Sequence, residues 1–152
     1  VDPAAAALTR AAGTAEHPLQ FLIWFRLLDF PATPANLVGF GLFAILLVEG
    51  ASYWIAKFRQ PAGAPLPAAG VFAAARRGNV VLLAAGLLFV LWPAMRDPGA
   101  GNLLGLGFVL MAVLEQVNYF HVQLMYDTPE DLRHLRTHGL VRSHLSRDLA
   151  RQ

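Results

Sequence analysis

The sequence predicts an all-α integral membrane protein. Its expected plan is three antiparallel transmembrane helices, a short membrane-embedded or interfacial helix before them, and a cytoplasmic amphipathic tail after them. Three observations carry that expectation. Hydrophobic residues make up 56% of the 152-residue chain and charged residues only 14%, against about 25% charged in ordinary soluble domains. Mean hydropathy is +0.47. The charges gather in the gaps between long apolar runs, which is how membrane proteins record their orientation. For the same reason the net charge of +2 is no footprint of nucleic acid, which is not an expected partner. The chain has no cysteine, which excludes disulfides, thiolate metal sites and a cysteine nucleophile.

Residues 1–17 are Ala-rich, with little to bury, and read as a flexible N-terminal tail. Val1 stands first without a methionine, so an initiator Met removed or a trimmed start is the expectation, and the first sixteen residues lack the basic start and apolar core of a secretory signal. Residues 18–30, PLQFLIWFRLLDF, are apolar and aromatic but interrupted by Arg26 and Asp29. At 1.5 Å per residue they cover roughly 20 Å of a ~30 Å hydrocarbon core. They read either as an interfacial helix or as a short, tilted first span.

Over residues 36–58 the apolar stretch 37–56 carries one charge, Glu49, and ends at Tyr53, Trp54 and then Lys57, an aromatic and basic membrane boundary. The prolines at 61, 65 and 67 then exclude a continuous helix over the 60–70 linker. A second span is expected over 79–95, with Trp92 at its far boundary and Pro93 ending or bending its last turn. A third is expected over 102–126. Together 18–126 form the membrane bundle, and 127–152 form the helical tail. Thr128, Pro129, Glu130 and Asp131 suit a helix start in that tail.

Orientation follows from the basic residues. Lys57, Arg59, Arg76 and Arg77 lie in one gap, and Arg133, Arg136, Arg142, Arg147 and Arg151 in the tail, together nine of the twelve. Two spans separate those segments, so they share a side. The positive-inside rule makes it the cytoplasmic side; a composition rich in Ala, Leu, Gly, Pro and Arg, with Lys57 the only lysine, makes a bacterial inner membrane the expectation.

Ionisable groups inside a span cost about 2.5–3.5 kcal/mol on insertion scales and invite a functional reading. Glu49 and Glu115 are the two carboxylates so placed. Counted from Lys57 and Asp127, they lie roughly 12 and 18 Å deep, close enough to share a site. Glu115, Asn118 and His121 are spaced i, i+3, i+6, and Gln116, Tyr119, Gln123 and Tyr126 form a second polar line. In a functional site Glu49, Glu115 and His121 act as acid or base, Asn118 and Tyr119 orient a ligand, and Arg76 and Arg77 hold an anionic head group. In a structural one, the same groups are interhelical hydrogen-bond glue.

His134 and His138 stand at i, i+4 with Glu130 one turn earlier, a spacing that can hold zinc. No HExxH or comparable motif supports a metal, and none is assigned; no cofactor is identified. The GxGxxA run Gly39–Ala44 lies inside a span with no strand before it, which rules out a dinucleotide site. Gly39, Gly41, Gly50, Gly101 and Gly105 read instead as close-packing positions. The partners expected are the lipid bilayer and a larger membrane complex or a homo-oligomer. Three functions fit: an accessory or assembly subunit, a membrane-embedded enzyme or binding protein for a lipid-like molecule, and an oligomeric channel or proton path.

Overall fold

The computed structural model describes residues 31–125 and 139–151, with isolated positions 23, 133 and 135–137 besides. Most of 18–30 and of 126–138, including Tyr126, Glu130, His134 and His138, therefore lies outside the described residues. Three long helices dominate: α1 (Pro34–Phe58), α2 (Ala69–Arg96) and α3 (Ala100–Phe120). A short α4 (His144–Leu149) follows. All three long helices are long and apolar enough to cross a membrane. At 1.5 Å per residue their 25, 28 and 21 residues measure about 38, 42 and 32 Å, against a hydrocarbon core of ~30 Å. The chain is a small, all-helical membrane protein.

Thr33 starts α1. Its hydroxyl accepts from the Asn36 amide, and Pro34 occupies the first helical turn, where its missing N–H is no loss. The proline-rich segment 59–68 stays non-helical, turning through Gly63 at φ +78°. Helix α2 then begins at Ala69, behind Ala68 in the left-handed region, well before the expected start at 79. Arg76 and Arg77 are therefore helical residues and not part of the linker. The physical reason is that Ala69–Gly78, AGVFAAARRG, is rich in Ala and carries Arg76 and Arg77, so it can form helix although its charges keep it out of an apolar run; a helix can start in water and enter lipid later. Pro93 does not stop α2, which runs on to Arg96, whose guanidinium lies 4.2 Å from the centre of the Trp92 ring.

Helix α3 ends at Phe120, short of the expected 126. Its last amides turn back on Val117, and Asn118 Oδ1 accepts the Leu124 N–H at 2.8 Å. The returning chain takes over the backbone: Gln123 N–H donates to Val141 O and Ser143 N–H to His121 O. That pairing sets α4 against the bundle.

The core is apolar and lies between the three helices. Leu46, Val90, Val109, Ala112 and Phe120 are fully buried. Along α2 the buried positions are Phe72, Asn79, Leu83, Gly86, Val90 and Ala94, recurring three, four or seven apart. The rest of that helix is outward and apolar: Val80, Val81, Leu88, Phe89, Trp92 and Met95 are all exposed. In water such a face would be a liability; in lipid it is the expected exterior.

Candidate functional site

The tightest approach is between α1 and α3. A Cβ placed on Gly39 would collide with the backbone of Gly105, and one on Gly105 with the backbone of Ala35 and Asn36. Gly50 makes room for the Tyr119 ring in the same way, and Gly86 for Leu42. Gly41 faces open space, and Gly101 makes only ordinary contact with the Thr33 methyl. Close packing of backbones is what small residues allow in membrane helices.

Above that contact sits a buried polar knot. Asn36 is wholly inaccessible. Its Nδ2 donates to Pro31 O at 2.8 Å and Ala100 O at 3.0 Å, and its Oδ1 accepts the Gly105 N–H at 2.7 Å. Both amide hydrogens and the carbonyl are thus used. The Thr33 hydroxyl donates to Gly101 O beside it.

A second network joins all three long helices. Asn79 of α2, 5% exposed, donates from Nδ2 to Glu49 Oε2 of α1 at 2.6 Å and to Gln116 Oε1 of α3 at 3.1 Å. Gln116, itself buried, donates from Nε2 to Arg76 O at 3.1 Å. Each amide both donates and accepts or donates twice, so one planar group ties two neighbours. Glu49 is half-buried; Asn79 engages one of its carboxylate oxygens.

Of the two polar lines on α3, the one that faces α1 and α2 is Gln116 and Tyr119. Glu115 and Asn118 lie on the adjacent strip, half-buried, with Asn118 Nδ2 3.4 Å from Glu115 Oε2, a long hydrogen bond. Because α3 stops at Phe120, Glu115 lies only five residues, about 8 Å, from the helix end rather than the 18 Å counted to Asp127. Glu49 is nine residues, about 14 Å, from the end of α1. His121 caps α3 through its backbone, accepting from Ser143 N–H. Arg76 enters the network through its carbonyl, while Arg77 is exposed at the α2 start.

The third polar group pins α4. Asp148, 8% exposed, accepts the Tyr53 hydroxyl at 2.9 Å and the Lys57 ammonium at 2.8 Å. Ser143 caps α4 and donates its hydroxyl to Tyr119 O at 2.5 Å. The His144 ring sits 5.7 Å from that of Trp54. Sequence reasoning singled out Glu49 because a charge stands out in an apolar run. It missed Asn36 and Asn79, uncharged residues placed at or before the expected helix starts, and Asp148, which read as a tail residue. An amide within a helical turn of an expected span edge is the signal that would have found the first two.

No family model, curated protein or solved structure matches the chain.

Proposed function

We propose that the chain is an accessory or assembly subunit of a larger complex in a bacterial inner membrane. On this reading its helices run up, down and up, each antiparallel to the next, with the 59–68 loop and the C-terminus in the cytoplasm. The observation that carries it is Asn79. At the centre of the bundle its amide is spent on Glu49 and Gln116, and Gln116 in turn on Arg76 O. The intramembrane amides are thus engaged in holding helices together, the use expected of hydrogen-bond glue. What remains for other molecules is the apolar exterior of α2 and the basic end.

The test is made in the native membrane. A tagged chain released with a mild detergent is expected to migrate well above its own 16.5 kDa, with other polypeptides at fixed stoichiometry. Glu49→Gln is expected to leave that assembly intact, because a glutamine Oε1 accepts from Asn79 as the carboxylate does. A free monomer would contradict the reading.

A second reading keeps support from one feature. Asn79 engages a single oxygen of Glu49, which leaves the other for a ligand. The protein is then a membrane-embedded enzyme or binding protein for a lipid-like molecule, with Glu49, Glu115 and His121 as acid and base, Asn118 and Tyr119 orienting, and Arg76 and Arg77 on the head group. Under it, Glu49→Gln abolishes activity in a chain that still folds.

A further inference from the structure

Where α1 ends, the 59–68 loop and the C-terminal helix enclose an open cleft of about 530 Å³, within the usual size of ligand pockets. Lys57, Gln60, the turn 61–65, Asp148 and Arg151 line it. Asp148 is the one acid in that lining, and its charge is already engaged: Oδ2 takes both the Tyr53 hydroxyl and the Lys57 ammonium, and the side chain is only 10% exposed. Lys57 gives one of its three N–H donors to that bond and remains 32% exposed. Arg151 is exposed and meets no carboxylate among the described residues. The backbone N–H groups of Ala62 and Gly63 have no protein acceptor among those residues either. The cleft therefore offers donors and net positive charge, with its acid turned inward.

Its height adds a second constraint. Trp54, only half-buried, lies one turn before Lys57, and such aromatics mark the headgroup level of a bilayer. Arg59, Arg76, Arg77, Arg142 and Arg147 surround the same end, so the local potential favours anions.

We propose that this cleft binds an anionic phosphate group, with the Arg151 guanidinium as its main bidentate partner and the Lys57 ammonium as the second charge. The phosphate belongs either to an anionic phospholipid or to a soluble phosphate ester. The proposal goes beyond the accessory reading and stands whether or not that reading holds.

The experiment is native mass spectrometry of the full chain in mild detergent, stripped of lipid. It is offered an equal mixture of phosphatidylglycerol and phosphatidylcholine, and separately inorganic phosphate. Phosphatidylglycerol is expected to be retained over phosphatidylcholine. Arg151→Gln is expected to lower that retention about tenfold, the worth of a charge-assisted hydrogen bond. Arg151→Lys keeps part of it, and Arg96→Gln at the opposite end changes nothing. If inorganic phosphate binds with the same Arg151 dependence and displaces the lipid, the site stands and its ligand is soluble. If it does not displace the lipid, the site stands and its ligand is the headgroup. Binding of every ligand by Arg151→Gln as by the unaltered chain, or equal retention of the two lipids with no phosphate bound, overturns the proposal.

Discussion

A single amide does in this bundle what an ion pair does on a protein surface, at lower cost. Asn79 carries no charge to desolvate, yet it has two donors and an acceptor, enough to reach Glu49 and Gln116 together. Removing it leaves two acceptors without a donor. Asn79→Ala is therefore expected to lower stability by about 1–2 kcal/mol, near the upper range for hydrogen bonds between membrane helices. Glu49→Gln is expected to stay within about 0.5 kcal/mol, because Gln preserves an acceptor at the same place. Reversible unfolding in mixed micelles measures both. A larger loss for Glu49→Gln than for Asn79→Ala would contradict the assignment of Asn79 as the hub. Legibility at this scale followed charge. Glu49 and Glu115 were visible because an acid in an apolar run is costly and stands out. Asn36, Asn79 and Asp148 were not, because an amide at a helix start or an acid in a tail is ordinary in sequence; only the packing shows that all three are buried.

At the scale of elements, hydropathy located three spans and most of their ends, but missed the start of α2 and the end of α3, since apolar runs report where a helix is in lipid and not where it begins. Helix α2 starts at Ala69, two turns before the charges of Arg76 and Arg77 that break the apolar run, and α3 stops at Phe120 because residues 141–143 return to pair with 121–123. That return is a contact distant in sequence, which no local pattern announces. The glycine positions were legible only in part: Gly39, Gly50 and Gly105 do lie at close approaches, while Gly41 does not. This difference gives a sharp test. Gly→Ala in a free helix is favourable by about 0.8–1 kcal/mol, so Gly41→Ala is expected to be neutral or stabilising. Gly39→Ala and Gly105→Ala must push α1 and α3 apart, and are expected to cost about 1–3 kcal/mol as overpacked contacts do. Thermal denaturation in detergent distinguishes them; equal shifts for all three would remove the backbone contact from the account. For α4 the holding group is Asp148. Asp148→Ala leaves a buried Tyr53 hydroxyl and Lys57 without their acceptor, so trypsin is expected to cut after Arg142 and Arg147 several-fold faster than in the unaltered chain. An unchanged cleavage rate would show that α4 is held by Leu145 and the 121–143 backbone pairing alone.

The whole molecule is a sleeve of apolar side chains with unequal ends. One end gathers Lys57, Arg59, Arg76, Arg77, Arg142, Arg147 and Arg151, brought together by the bond of Asp148 to Lys57 and by the start of α2; the other carries Arg96 and Asp97. That asymmetry, with three helices of spanning length, leads to the central claim: three crossings of a membrane, with the basic end inside. The chain has no cysteine, so single ones can be introduced without background. Ala62, Pro98 and Ala150 are exposed and lie at the two ends. Each is changed to Cys in turn and treated in intact cells with a maleimide that cannot cross the membrane. Labelling is expected at 98 alone, with 62 and 150 reacting only once the cells are opened. Labelling of 62 and 150 in intact cells would reverse the orientation, and any pattern placing 98 on the same side as 62 would contradict the three-span protein itself.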